Sequence, residues 1–364
     1  MRRTAALIAG GGPAGSAAAI RLAQGGARPL LIERSRETGD ALCGGFLSWR
    51  TLQSLERLGL SAAELGGHPV GRVRIFSETR QGEAPLPAGA IGLSRRRLDG
   101  LMLAAAERMG AGVERGIAVR HGVIGHASLS DGTEIGCDSL FLATGKIDCR
   151  GLPRPRAATD DPALGLRLRL PAAPALIRLI GDAIELHLFR GGYAGLVLQE
   201  DGSANLCLAV RKSRLAESAG DPWVLLRALA AESPTLAERL GWADMLAPVD
   251  AIGAVPYGWR ATTGEAGLFR LGDQAAVIPS LAGEGMGIAI ASGIRAAEAW
   301  LAHGPAGGAA FQADLARRTK GPVALASRLR DGAEARWSRR LAPVLIRLAP
   351  GLAGWIAAQT RIAP

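Results

Sequence analysis

Two rhythms of apolar residues divide this chain. Near the start, unbroken apolar runs at 5–9 and 29–32 flank a segment, 14–23, of small and apolar residues at helical spacing. That order predicts a buried strand, a helix and a second buried strand. Between 163 and 210 the rhythm changes to alternation, in "LGLRLRL", "AIELHLF", "YAGLVLQ" and "ANLCLAV", with turn residues at Gly191-Gly192 and Asp201-Gly202. These runs predict antiparallel strands, each with one buried face. Residues 73–87 read as a hairpin, and helices are expected near 221–230 and 234–241. A further helix starts at Ser94 as N-cap, carries Leu98, Leu101, Met102 and Ala105 on one face, and stops at Gly110.

Length and composition sharpen this picture. A chain of 364 residues, 48% of them hydrophobic, can bury more than one core, so two packed lobes are expected. Arg2-Arg3 before an apolar run imitates an export signal, but Gly10-Gly11-Gly12-Pro13 interrupts it and no cleavage-like polar break follows, so a cytoplasmic protein is expected. Four cysteines, Cys43, Cys137, Cys149 and Cys207, show neither CxxC spacing nor histidine neighbours, so neither a metal site nor a disulfide framework is indicated. The net charge is +10, and most of it lies after residue 310. Its basic residues are not interleaved with aromatics, which argues against nucleic-acid binding. The same basic, apolar helices leave two roles open, a cap on the second lobe or peripheral contact with a membrane surface.

The chemistry starts in "ALIAGGGPAGSAAAIRLA". Gly10, Gly12 and Gly15 stand at GxGxxG spacing between the first strand and the helix. Gly10 serves the tight turn, Gly12 the approach of a pyrophosphate, and Gly15 the packing of helix on strand. Pro13 and Ala14 open the helix, whose unpaired amides and dipole face the phosphates. Glu33, followed by Arg34, closes the second strand where a carboxylate accepts hydrogen bonds from an adenosine ribose. An acid there disfavours a 2′-phosphate, which leaves NAD and FAD open.

The segment "AGLFRLGDQAAVIPSLAGEGMGIAIASG" resembles the distal flavin motif of the para-hydroxybenzoate hydroxylase superfamily. The resemblance implies FAD. It places Gly272 and Asp273 at the ribityl chain, and Pro279, Gly283, Gly285 and Met286 beside the isoalloxazine. A helix start at that edge would favour the charge that builds up on reduction. The same resemblance puts Arg95 at the pyrophosphate. Cys43-Gly44-Gly45 is similar to the Cys-Gly stretch of geranylgeranyl reductases, which adds Cys43 and Gly44 to the expected flavin contacts. The chain departs from the superfamily at its Asp-Gly pair, which here reads Ala143-Thr144-Gly145. Thr144 and Gly145 stay as expected cofactor contacts. NAD(P)H stays open as electron donor, as does a reductase partner.

The fold expected is α/β, α+β overall: a Rossmann-like FAD-binding domain (1–68, 92–150 and 251–304) interleaved with a mostly antiparallel β-sheet substrate domain (69–91 and 151–250), plus C-terminal helices (305–364). The resemblance implies an FAD-dependent oxidoreductase acting on an apolar or aromatic small molecule. The favoured reaction is C=C reduction or dehydrogenation by hydride transfer at flavin N5, as in the geranylgeranyl reductase-like branch. The alternative is a monooxygenase hydroxylating a phenol-like ring through C4a-hydroperoxyflavin, and a non-catalytic electron carrier is the third reading. Cys43, Tyr193 and Tyr257 are the candidate catalytic residues, since a thiol or phenol can donate a proton to substrate. The strand pair around Tyr193 lacks the Trp and Phe-Pro of the geranylgeranyl reductase pattern, so isoprenoid specificity is not transferred.

Overall fold

The first apolar run lies in the strand Arg2–Ala9, at the middle of a seven-stranded sheet. The computed structural model describes residues 2–155 and 160–362; part of the Pro-rich crossing into the second lobe falls outside them. Leu7 pairs with Leu30 on one side and Leu140 on the other, both in parallel register. Gly112–Arg115 extends the sheet beyond Leu30–Glu33, and Leu268–Arg270 adds a parallel strand beside Glu134–Leu142. The antiparallel strands Val119–Val123 and His126–Leu129 complete it, a pair the alternation did not announce. Arg2 and Arg3 extend the first strand and bond to Glu114 and Asp138, at 3.0 and 2.7 Å.

Helices Pro13–Gln24 and Gly285–His303 pack against this sheet and each other. Small residues make the contact possible: a Cβ at Gly293 would lie 2.3 Å from the carbonyl oxygen of Ala14. Ser94 caps the helix Arg95–Arg108, its hydroxyl accepting from the Arg97 amide at 3.1 Å.

The second sheet has eight strands in the order Asp250–Ile252, Ala163–Leu170, Ala204–Arg211, Gly192–Leu198, Ala183–Phe189, His68–Ser77, Arg80–Gly92 and Phe46–Leu47. All neighbours are antiparallel except Ala183–Phe189 with His68–Ser77. The hairpin runs further than the turn residues suggested, because its ends pair with the lobe's other strands. Alternation gives the sheet two faces. Leu166, Leu168, Leu196 and Leu206 pack on one face with residues of the helices Pro174–Ile180, Pro222–Glu232 and Pro234–Leu240. Ile75, Leu188, Tyr193 and Ala209 belong to the other, towards the C-terminal helices.

His187 lies within the sheet and is buried. It stacks on Phe76 and faces Glu185 at 3.2 Å. Glu185 also accepts a bidentate pair from Arg239, at 2.9 and 3.0 Å, and one bond from Arg74 at 2.8 Å. Burial alone would raise the Glu185 carboxyl, but His187 and Arg239 hold it down at about 2.

The chain ends in the long helix Gly307–Glu334, followed by Arg336–Leu348 and Pro350–Gln359, which bend by 109° at their junction. Both short helices pack on the strand Arg80–Gly92. Among the described residues, no single helix is long and apolar enough to cross a membrane.

Candidate active site

A cavity of about 1070 Å³ runs from the glycine turn at the first sheet, past the face of the second, to the bent C-terminal pair. Its near end is a cradle that side chains would fill. Gly10 has φ +109°, and a Cβ there would stand 2.5 Å from the carbonyl oxygen of Ala143. A Cβ at Gly15 would come within 1.9 Å of the Gly10 carbonyl oxygen, so helix and turn close only over glycine. Pro13 occupies the first helical turn, and the exposed amide end of the helix points into the cavity beside Gly11, Gly12 and Ala14.

Polar groups furnish the cradle. Glu33 accepts from the amides of Gly11 at 2.7 Å and Ser35 at 2.9 Å, which fixes its carboxylate at the cavity rim beside Arg34. The Arg95 guanidinium lies over Gly12, 3.4 Å from where a Cβ would sit, and is held by Asp99 through bonds of 2.7 and 2.6 Å. Asp99 was not expected here; it lies one helical turn after Arg95 and aims it at the phosphate turn.

The distal motif forms the opposite wall. Gly272 and Asp273 open a 3₁₀ turn, anchored by the Gly272 amide donating to Ser292 Oγ at 2.9 Å. Gly283, Gly285 and Met286 line the cavity where the helix Gly285–His303 begins. Thr144 and Gly145 line it as well, and the Gly145 carbonyl accepts from Gln274 at 2.8 Å, joining the altered Asp-Gly position to the distal motif. Lys146 donates to the Leu42 carbonyl at 3.0 Å, so its ammonium supports the neighbouring loop. Gly15 and Pro279 are not on the cavity wall: Gly15 lies beneath Gly10, and Pro279 precedes the turn Ser280–Ala282. Both shape the wall without forming it.

Cys43 and Gly44 also line the cavity. The Cys43 carbonyl accepts from Asn205 Nδ2 at 2.9 Å and from the Cys207 thiol at 3.0 Å, so the second sheet holds this loop in place. Burial, with Cys43 close by, pushes the Cys207 thiol up to about 12.

Tyr193 and Tyr257 converge on Ser280. Their phenol oxygens lie 2.7 and 3.0 Å from Ser280 Oγ, and the Leu281 amide donates to Tyr193 at 2.8 Å. Burial lifts the Tyr193 phenol well above its usual value and Tyr257 to about 12, so both keep their protons at neutral pH. Ser280 gave no signal in the sequence, because nothing local marks a serine that two distant tyrosines reach. Glu284, at the start of the helix Gly285–His303, is buried and ion-paired with Arg361 at 3.1 Å; burial raises its carboxyl to about 7 against the pull of that arginine.

These residues fit FAD: a glycine-only phosphate turn under a helix end, an acid at the ribose position, a cation over the turn, and a second wall at the flavin end. A family model described as FAD binding domain matches residues 3–125. Menaquinone reductase of Mycobacterium tuberculosis is 28% identical over 311 residues, covering 80% of this chain and 75% of that protein. The protein of the same name from Mycolicibacterium smegmatis is 27% identical over 325 residues, covering 83% of this chain and 77% of that one. Among solved structures, Pseudomonas aeruginosa PqsL in complex with 2-aminobenzoylacetate superposes with a TM-score of 0.76 at 19% identity, over 94% of this chain and all of that one. A geranylgeranyl bacteriochlorophyll reductase-like protein of Thermoplasma acidophilum gives 0.74 at 20% identity, over 94% of this chain and 90% of that one. The chain therefore carries an FAD binding domain match over its first third and shares the fold of these solved structures over nearly all of its length.

Proposed function

We propose that this oxidoreductase reduces a carbon–carbon double bond in a long apolar substrate. The observation that carries this reading is the shape and lining of the cavity. It continues from the flavin end along the apolar sheet face and under the bent helices, and a protonated tyrosine pair stands where the two lobes meet. Bound FAD, once reduced, supplies a hydride. The chain supplies the rest.

Ile75, Leu86, Ile184 and Leu188 give the substrate an apolar wall and exclude water from it. Tyr193 and Tyr257 hold their phenol protons, and Ser280 Oγ, within hydrogen-bond reach of both, lets one tyrosine restore the other's proton. A hydride and a proton together saturate the bond, so the reaction needs one protein acid and no activated oxygen. Asn205 and Cys207 keep the Cys43-Gly44-Gly45 loop against the cofactor site, which positions the backbone there. The mycobacterial relatives named menaquinone reductase support a quinone-bearing lipid as the first substrate to try.

Oxygen reactivity separates this reading from hydroxylation. Rapid mixing of the reduced holoprotein with oxygenated buffer is expected to return oxidised flavin directly, without a spectral intermediate. A long-lived intermediate, followed by oxygen incorporation into a phenolic substrate, would overturn the proposal.

A further inference from the structure

We infer that the bent C-terminal pair, Arg336–Leu348 with Pro350–Gln359, docks the protein on an anionic lipid surface. The pair carries two apolar stripes. One, with Pro343 and Ile346, is buried against the strand Arg80–Gly92. The other faces outward: Trp337 and Leu348 are each 72% exposed and Trp355 57%, with Leu341, Leu345 and Leu352 exposed between them. Trp337, Leu341, Leu345 and Leu348 follow one another at helical spacing, and Leu352 and Trp355 continue the patch across the bend. Contiguous outward leucine and tryptophan of this kind marks an interaction surface, and tryptophan suits the lipid–water boundary.

The charge commits the patch to one occupant. Of the five arginines after Glu334, Arg339 is buried and Arg340 and Arg361 pair with Glu78 and Glu284, while Arg336 and Arg347 are exposed beside the apolar stripe with no acid after Glu334. An amphipathic segment with outward Trp and Leu flanked by arginine suits an anionic bilayer, into which it sinks without spanning. The 109° bend fits the same use, because it lays two short helices along a surface.

The patch also joins the cavity. Leu345 and Leu352 belong to both the exposed stripe and the cavity wall, with Ile346 and Ile356 lining further in. An apolar chain therefore meets continuous apolar surface from the docked face to Tyr193. That use of the mouth as a lipid entrance rests on the proposed alkene reduction, whereas docking does not.

The test is sedimentation of the FAD-loaded protein with vesicles of phosphatidylcholine alone or mixed with phosphatidylglycerol, without substrate. Binding to the mixed vesicles is expected, weakened by salt and accompanied by a blue shift of tryptophan emission. The variant Trp337→Ser/Leu348→Gln/Trp355→Ser is expected to lose about a hundredfold in vesicle affinity while keeping its flavin spectrum and Tm. Arg336→Glu/Arg347→Glu should lose the preference for phosphatidylglycerol by about tenfold. Absence of binding by the intact protein, or equal binding by the triple variant, would overturn the inference. A dimer that the triple variant dissolves, with no vesicle binding, would assign the face to a second copy and overturn it too. Vesicle binding without alkene reduction would refute the proposed function and leave docking standing.

Discussion

The phenol oxygens of Tyr193 and Tyr257 meet at one hydroxyl, Ser280 Oγ, at 2.7 and 3.0 Å. Tyr193 comes from the second sheet and Ser280 from the turn before the helix Gly285–His303, so the contact ties the second sheet to the wall of the distal motif. Tyr193→Phe is expected to lower kcat by about 10²- to 10⁴-fold, the usual worth of a positioned acid, with FAD affinity unchanged. Ser280→Ala should cost less, because it removes the link and leaves both phenols. Single-turnover rates and FAD titration check both.

The raised phenols also set a pH profile. An acid must stay protonated to act, and burial holds Tyr257 at about 12 and Tyr193 well above its normal value. Turnover should therefore show no tyrosine-linked loss from neutral pH up to about 10, the usual phenol value. A basic limb near that ordinary value, absent in Tyr193→Phe, would keep Tyr193 as the acid and contradict its raised phenol.

The glycine turn gives a prediction about the cofactor. Gly15→Ala sets a methyl 1.9 Å from the Gly10 carbonyl oxygen, so helix or turn must move. Overpacking of this kind costs about 1–3 kcal/mol and here displaces the phosphate cradle, so the variant should purify with little FAD. Arg95→Met should fold and bind FAD about ten- to a hundredfold more weakly, since a charge-assisted contact is lost.

Glu185 contributes to the acid limb of stability. Its carboxyl is depressed from 4.5 to about 2 in the folded protein, so below 4.5 the unfolded chain binds the extra proton. Stability from this group is full above about 4.5 and is lost as pH falls towards about 2. Glu185→Gln should flatten that dependence and lower Tm at neutral pH. Removing the carboxylate leaves Arg239 buried without its main partner, at a cost of about 3–5 kcal/mol. Tm measured from pH 3 to 7 tests both effects.

How far the sequence discloses this molecule depends on whether a signal is local. Gly10, Gly12, Pro13 and Glu33 are legible because one turn demands all of them, and Ser94 because an N-cap acts on its own helix. The strands from 163 to 210 are legible from alternation, but the expected single buried face is corrected: helices cover one face of their sheet and the C-terminal segment the other, so Gly192–Leu198 and Ala204–Arg211 are buried on both. The Tyr193–Ser280–Tyr257 cluster is not, since it forms only when two sheets meet. Asp99 hides inside a helix as an ordinary surface-type residue until Arg95 is seen over Gly12. The C-terminal helices hide most: two apolar stripes separate by periodicity, but only packing against Gly82 and its neighbours tells which faces inward.

The most direct measurement is a single anaerobic turnover: chemically reduced holoprotein mixed with menaquinone in phosphatidylglycerol vesicles, with the lipid analysed by mass spectrometry. The expected product is the lipid with two hydrogens added across a side-chain double bond, formed as the flavin reoxidises and lost in Tyr193→Phe. Flavin reoxidation that leaves every side-chain double bond intact would contradict C=C reduction.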